Sequence, residues 1–248
     1  MVVPTFIGSK DNKRIKDLKK LQMKKYRKKE ERFLIEGEHL VEEAVRYHQR
    51  LHTVILLEGC DFALPIPEDI EMLTVSRAVM KTLSTLDTPP GVMAAVSYVA
   101  PEVGEDNTLL LDGVQDPGNL GTLIRSADAF GFKHIILSHD TVDPFSDKVL
   151  RSTQGSLFHI RLETVEPTAA VNAFQGIVMG TAIDGAVLLD DTRSPKESVM
   201  VVLGNEGRGV SEEVLSLVDQ KLKIDMPGDS ESLNVAVAGS IIMHHFKA

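Results

Sequence analysis

Cysteine is almost absent from this 248-residue chain. Cys60 stands alone, so no disulfide can form within the chain, and a reducing cytoplasm is the expected setting. Cys60 itself reads as a small buried residue. No apolar run approaches the roughly 18 residues that cross a membrane. The first ten residues put no basic region ahead of their short apolar piece, so they make a poor signal peptide. With one cysteine and no H-E-x-x-H, the spacing for a zinc site is missing, and no metal is expected. The pair His244 and His245 reads as the surface end of a helix. The phosphate-cradling patterns G-x-G-x-x-G after a strand and G-x-x-x-x-G-K-[ST] are also missing, which weakens readings as a dinucleotide or P-loop protein. No Ser, His and Asp set can be singled out, because spatial proximity is not written in one sequence.

What the chain has is apolar mass and unevenly spread charge. Hydrophobic residues make up 43%, enough for a sizeable core in one large domain or two smaller ones. Twelve of the 27 Lys and Arg lie in the first 32 residues, against four of the 36 Asp and Glu; the arm carries a net of +8 and the remainder a net of −17. A basic arm on an acidic body points to a polyanion partner, RNA or DNA, and the bland alternative is a solvated helix face.

Taken in order, residues 10–32 read as one basic helix with a narrow apolar edge of Ile15, Leu18 and Leu21. Strands are expected at 33–35, 53–57, 72–75 and 92–99, and helices at 39–47 and 77–86. Leu40, Val41, Ala44 and Val45 line one side of the first of these helices. Residues 64–67 are a connection and 87–91 a firm break. Alternation at this length suggests a small α/β unit over residues 1–99. Residues 100–107, polar with Pro and Gly, make a linker, and 108–248 form the second domain.

That second domain is organised around residues 109–131. Leu109, Leu110 and Leu111 read as a buried strand. A turn rich in Asp, Gly and Pro follows, and then a helix from Asn119 whose stripe is Leu120, Leu123, Ile124 and Ala127. Asn119 stands where an N-cap belongs. Arg125 lies off the stripe, near Gly121, which leaves room for a close approach. Further strands are expected at 134–137, 177–181, 199–203 and 222–224, and helices within 139–156, over 167–174 and from about Ser232. Ser211 can cap a helix whose first turn holds Glu212 and Glu213. Residues 184–198 read as loop. Three strands thus run into glycine-bearing turns, at 112–121, 204–209 and 226–234. Ligands of open α/β sheets bind at such strand ends.

At this point a resemblance enters. The segments DPGNLGTLIRSADAFG, GNEGRGVS and IDMPGDSESLNVAVAGSI resemble the three ordered motifs of the SpoU/TrmH family, and DPFSDKVLRSTQGSLF resembles its intermediate segment. FLIEGEHLVEEA after a basic helix is similar to the family's substrate-binding domain. The family comprises RNA ribose 2′-O-methyltransferases of the SPOUT superfamily that use S-adenosylmethionine. The resemblance therefore implies an α/β chain: a small N-terminal α/β RNA-binding domain, and a C-terminal parallel-sheet SPOUT domain threaded into a trefoil knot. It also implies a homodimer with the site beside the interface. A small-residue face of Ser232, Ala236, Gly239 and Ser240 is compatible with close helix contact there. Ribosomal RNA is expected as substrate ahead of transfer RNA.

Carried over by motif position, Asn119, Arg125, Glu206, Ser232 and Asn234 are the expected catalytic residues. The cofactor is expected on Leu203, Gly204, Gly207, Ile224, Met226 and Leu233. The chain departs from the family pattern at Asp225, Ala236 and Asp147, where proline, serine and proline are usual; none of these removes an expected catalytic side chain. Arginine has a pKa above roughly 12, so using it as a base at pH 7 costs about 7 kcal/mol. A bidentate grip on phosphate and on a developing alkoxide fits Arg125 better. Glu206 is a weak candidate base that can equally hold Asn119. The rival reading is an RNA-binding protein that holds the cofactor without catalysis, and a nucleotide-binding metabolic enzyme comes third.

Overall fold

A computed structural model of the chain describes residues 4–62, 66–67, 69–104 and 107–247. Residues 64 and 65 of the expected connection, and 105 and 106 of the expected linker, lie outside the described residues. The chain divides into two units: residues up to Val99 together with Phe145–Phe158, and Ala100–Pro144 together with the residues from His159 onward. The first unit thus takes in a segment far along the chain, from within the stretch expected as the second domain.

The first unit is built on a five-stranded mixed sheet. Its strands are β1 (Thr5–Ile7), β2 (Phe33–Glu36), β3 (Arg50–Leu57), β4 (Glu71–Val75) and β5 (Val92–Ser97), in the order β1-β4-β3-β5-β2. Helix α3 (Glu38–Arg46) buries Leu40, Val41 and Ala44, and α4 (Arg77–Leu83) buries Val79, Met80 and Leu83. The inserted segment is tied in by aromatic stacking and a helix. Phe145 lies 4.7 Å from Phe33 and 5.5 Å from Tyr98, ring centre to ring centre, and α6 (Asp147–Thr153) buries Val149 and Leu150.

The basic arm departs from the single helix its pattern suggests. It forms α1 (Lys13–Lys20) and α2 (Lys24–Glu30). Ile15, Leu18 and Leu21 dock into the core beside Val79, Met80 and Leu83. The chain then tightens, with Leu21, Gln22 and Met23 each bonding the carbonyl three residues back, which closes α1. Past Leu21 no apolar residue remains to carry the docked edge forward, so α2 leaves on a new axis.

The second unit holds a seven-stranded parallel sheet. Its strands are β6 (Thr108–Asp112), β7 (His134–Leu137), β8 (Arg161–Thr164), β9 (Ile177–Thr181), β10 (Val187–Leu188), β11 (Val199–Gly204) and β12 (Gln220–Lys223). The spatial order is β10-β12-β9-β11-β6-β7-β8. β6 and β11 are buried along their whole length, as continuous apolar runs in a parallel sheet should be. The chain runs outward from β6 through β7 to β8, then returns to build the other half around β11. The junction of β6 and β11 is therefore the switch point where ligands of such sheets bind.

Local chemistry corrects several boundaries. Helix α5 spans Pro117–Phe130, and its N-cap is Asp116, whose Oδ1 accepts from the amides of Gly118 at 2.7 Å and Asn119 at 2.9 Å. Pro117 at the first helical position has no amide to satisfy, so the helix begins two residues before Asn119 and leaves that side chain free. The loop expected at 184–198 contains the edge strand β10. Ile224 follows β12 instead of ending it. Ser211 precedes the short α8 (Glu212–Leu215) without a side-chain cap bond. α7 is Pro167–Ala173.

The terminal helix α9 (Val235–His245) is capped by Asn234, so Ser232 lies before it. The remaining small residues of the expected face are used within the chain. Ser126 and Ser240 share a hydrogen bond of 2.7 Å, and a Cβ added at Gly239 would lie 2.4 Å from Leu203 Cδ1 and 2.6 Å from Leu123 Cδ2.

Two glycines separate close backbone approach from side-chain crowding. A Cβ at Gly204 would lie 2.0 Å from both the Gly209 carbonyl carbon and the Val210 nitrogen. Backbone cannot retreat there, because Asn205 and Gly209 close a tight bridge with bonds of 3.0 and 2.9 Å. At Gly239 the clashing atoms are the flexible ends of two leucines. Gly239→Ala should therefore cost the 1–3 kcal/mol typical of roughly one extra methyl in a packed core, whereas Gly204→Ala should cost more than that or abolish folding. Denaturant midpoints of the two variants check the order; equal losses would contradict it.

Candidate active site

The switch point is held together before any reacting group is considered. Asp112, at the end of β6, is buried, and its carboxylate accepts from the Ser211 amide at 2.8 Å. Gly113 follows at φ +81°, donating to Ser138 Oγ at 2.8 Å and accepting from Asn205 Nδ2 at 2.8 Å. Arg208 reaches Asp140 at 3.0 Å and Asp112 at 3.7 Å. The Ser138 hydroxyl chiefly, with Asp140's own amide and Arg208, holds the Asp140 carboxyl below the usual carboxylate range despite partial burial. Loops after three strands, β6, β7 and β11, are thus fastened to one another. Sequence reasoning missed Asp112, Ser138, Asp140, Asn205 and Arg208. The Asn205 turn had a readable signal: its Oδ1 accepts from the Gly207 amide at 2.9 Å, the Asx pattern common for Asn in turns.

Above this base, three of the five expected catalytic residues form one directed chain of hydrogen bonds. Asn234 Oδ1 accepts from the amides of Ala236 at 2.9 Å and Val237 at 3.3 Å, capping α9. Its Nδ2 must then donate, and it reaches Asn119 Oδ1 at 2.9 Å. Asn119 Nδ2 in turn donates to Glu206 Oε1 at 3.0 Å. Glu206 also accepts from the backbone amides of Asp116 at 3.0 Å and Gln115 at 3.1 Å. Each amide has one consistent orientation, because the exposed end of α9 can only donate and a carboxylate can only accept.

Partial burial raises the Glu206 pKa, but the donors from Asn119, Asp116, its own amide and Gln115 outweigh it, and the net shift is downward. Glu206 is therefore an ionised acceptor with its lone pairs engaged, which suits a clamp and not a proton-abstracting base.

The other two residues stand apart from this chain. Arg125 is exposed and makes no hydrogen bond or ion pair to any described residue. It lies six residues along α5 from Asn119, about 9 Å of helix. Gly121, expected to leave room beside it, is buried within the chain. Ser232 is exposed, and its carbonyl accepts from Ser230 Oγ at 2.9 Å.

Among the expected cofactor residues, Leu203 and Gly204 are buried in β11, Ile224 is half-buried, and Gly207, Met226 and Leu233 are exposed. The room at Gly204 is filled by the chain's own Gly209 and Val210. Met226 and Leu233 present apolar side chains to solvent in the segment leading to Asn234. Among the described residues, no three His, Cys, Asp or Glu side chains are grouped to hold a metal ion.

Comparison with known proteins falls on the same segments. Residues 106–244 match the SpoU rRNA Methylase family, and residues 12–94 match the MRM3-like substrate binding domain. A Bacillus subtilis protein named 23S rRNA (guanosine(2553)-2′-O)-methyltransferase RlmP is 38% identical over 247 residues, covering 97% of this chain and 98% of that one. A Porphyromonas gingivalis structure described as a putative RNA methyltransferase of the TrmH family superposes with a TM-score of 0.86 at 36% identity. It covers 94% of this chain and 96% of that one. An AdoMet-bound rRNA methyltransferase from Sinorhizobium meliloti gives a TM-score of 0.87 at 29% identity, covering 98% and 97%.

The clamp makes a testable demand. In Glu206→Gln the new amide group must face at least one of the donors that the carboxylate now accepts, leaving it unpaired. Hydrogen-exchange protection of the Gln115 and Asp116 amides should fall roughly five- to tenfold, the scale of one hydrogen bond worth about 1 kcal/mol. A depressed carboxyl contributes above its unfolded pKa of about 4.3 and is lost as pH falls through the lower folded value. Protection in the parent should therefore hold steady from pH 7 to pH 5, while the variant is weaker throughout. Equal protection in the two proteins would contradict the clamp.

Proposed function

The chain belongs to the SpoU rRNA methylase family of S-adenosylmethionine-dependent RNA 2′-O-methyltransferases, and we propose that its substrate is ribosomal RNA, bound by the N-terminal domain and methylated at the β6–β11 switch point. The full-length likeness to a relative named for 23S rRNA supports the choice of ribosomal over transfer RNA. One observation carries the assignment of the site: Asn119, Glu206 and Asn234, drawn from three motifs, close into a single hydrogen-bonded chain at that switch point. This favours catalysis over cofactor binding alone, because a mere binding site has no need to fix the direction of every amide beside an unengaged arginine.

The residues present fit the cofactor. Exposed apolar side chains at Met226 and Leu233 offer contact to an adenosyl group, and ionised Glu206 offers a negative charge to a sulfonium. Half-buried Ile224 and exposed Gly207 leave backbone accessible beside them. When bound, S-adenosylmethionine supplies an activated methyl group. The chain's part is then to hold and orient. Asn119 and Asn234 keep the loop after β6 and the start of α9 in fixed register, which serves the alignment that methyl transfer requires. Arg125 carries a charge that no described residue neutralises, on a helix anchored at the switch point. Its fork can grip the phosphate next to the target ribose and stabilise charge developing on the 2′-oxygen. Loss of the hydroxyl proton falls to another acceptor, since both Arg125 and Glu206 are unsuited to take it.

The same reading includes a homodimer, a knot and a cytoplasmic home. Val237 and Ile241 remain exposed on α9, one turn apart, while its small residues face α5, and this apolar strip suits a second copy. The return of α9 onto α5 and β11, after the chain has built β12 on the far side of the sheet, supports the threaded C-terminus of the family. The single cysteine suits a reducing compartment. No helix of the described residues is long and apolar enough to cross a membrane.

Arg125→Ala should lose on the order of 10²-fold or more in methyl transfer, comparable to removing an oxyanion donor. Its melting temperature and its affinity for S-adenosylmethionine should stay near those of the parent, because the side chain is exposed and unbonded. Arg125→Lys should rescue only part, keeping charge without the fork. Single-turnover transfer of labelled methyl to ribosomal RNA, with calorimetry of the cofactor alongside, reads all three. Full activity in the alanine variant would overturn the site.

A further inference from the structure

The cations of the basic arm are not equivalent. Four of them are matched by acids of their own unit: Arg14 with Glu71 at 3.1 Å, Lys16 with Asp11 at 2.9 Å, Lys20 with Asp17 at 2.8 Å, and Arg32 with Glu30 at 2.9 Å. Arg27 is a strut. Its Nη1 donates to the carbonyls of Leu21 at 2.9 Å and Gln22 at 2.8 Å, the two residues that follow α1, and so fixes the angle at which α2 departs. Lys10, Lys13 and Lys19 also make no ion pair with a described residue, but they are spread along ten residues, whereas Lys24, Lys25, Lys28 and Lys29 are clustered. All four are exposed, and none forms an ion pair with a described residue.

These four lie on α2, a seven-residue helix that buries no residue at all. At about 100° per residue they cover one face of roughly 140°, in two rows, 24/28 and 25/29, with about 6 Å between the members of a row. Tyr26, Arg27 and Glu30 fall on the opposite side, where Arg27 is tied down. The arrangement costs local stability. So short a helix is marginal alone, each row sets two like charges one turn apart, and no apolar burial offsets either effect. A helix held in place by a strut, with every unmatched cation on its outer face, is built to meet an external anion. It lacks the apolar face that would seat it in a lipid surface.

We propose that the outer face of α2, through Lys24, Lys25, Lys28 and Lys29, is the principal phosphate-contacting surface of the N-terminal unit and grips the RNA backbone without reading its sequence. The proposal rests on the RNA methyltransferase reading for its choice of partner. The ion-paired cations of the arm contribute little by comparison, because a phosphate must displace an intramolecular acid to reach them.

The test compares two quadruple variants of the full chain with the same change in net charge. One carries Lys24→Gln, Lys25→Gln, Lys28→Gln and Lys29→Gln; glutamine keeps helix propensity close to that of lysine. The other carries Arg14→Gln, Lys16→Gln, Lys20→Gln and Arg32→Gln. Binding to oligouridylate RNA is titrated over a range of salt concentrations. For single strands the slope of log K against log salt is about −0.7 per phosphate neutralised, so the α2 variant should flatten it by about 3 and the ion-paired variant by less than about 1.

Equal flattening would overturn the proposal, since net charge alone would then explain it. So would no flattening in the α2 variant, and so would competition for the face by an acidic polypeptide in preference to RNA. Should the α2 variant melt early, its four single substitutions decide the matter, each expected to flatten the slope by about 0.7. The outcome is separable from that for the overall function. A parent that transfers methyl groups yet shows no α2 dependence loses this inference alone. A parent whose RNA binding depends on α2 but which transfers no methyl loses the methyltransferase reading alone.

Discussion

The hydrogen bond from Asn234 to Asn119 is the constraint on which the second unit's site depends. It spans 115 positions of sequence and joins the start of α9 to the first turn of α5. Its direction is not a free choice. The N-terminus of α9 presents amides that must be accepted, which turns the Asn234 carboxamide so that its nitrogen faces outward. That nitrogen requires an acceptor, which turns Asn119, whose nitrogen then requires Glu206. The carboxylate end is closed by the amides of Gln115 and Asp116. Polarity thus passes from a helix terminus through two neutral amides to one anion. A partly satisfied network of this kind is costly, while a complete one specifies a single arrangement.

This arrangement separates two tasks that a short motif runs together. Glu206, Asn119 and Asn234 neutralise one another's hydrogen-bonding capacity and become scaffold. Arg125, on the same helix as Asn119, is left with none of its donors engaged by a described residue. Rigid placement of a helix and an uncommitted cation on it are compatible because the clamp acts on the first turn while the arginine projects further along. Gly204 and Gly239 add a packing layer beneath. The first lets the loop after β11 fold back onto its own strand, and the second brings α9 down onto Leu203 and Leu123.

Much of this was legible in the residues. Continuous apolar runs located β6 and β11, and the three glycine-bearing turns located segments that meet at the β6–β11 switch point. The misreadings have particular causes. Asn119 looked like an N-cap because Asn is a good one, but Asp116 followed by Pro117 is a stronger start, and the two residues gained by the helix are what free Asn119 to reach Glu206. The basic arm looked like one helix because lysine is helix-compatible throughout; where it breaks is decided by the end of the docked apolar edge at Leu21, which is a tertiary fact. The small residues of α9 suggested contact with another copy, yet small residues permit close approach without saying by whom, and here the partner is α5. Orientation of the amides could not have been read at all, since it follows from which groups meet in space.

Charge gives the same division a larger scale. Beyond residue 32 the chain carries a net of −17, a body that repels a polyanion wherever its cations are matched. Attraction must come from places where a positive charge has no intramolecular acid. On the first unit the lysines of α2 are the densest group of such places, and on the second unit Arg125 is one. The two differ in what they can distinguish. Lysine ammonium groups on an exposed helix hold phosphate as point charges and tolerate many geometries, whereas a guanidinium at a fixed helix position demands a planar, bidentate partner. On the proposed reading, strong but indifferent attraction and weak but exacting recognition therefore fall to separate parts of the chain. A net acidic chain is no obstacle to binding RNA on such terms; by weakening every other encounter, its negative charge favours those in which the unmatched cations are engaged.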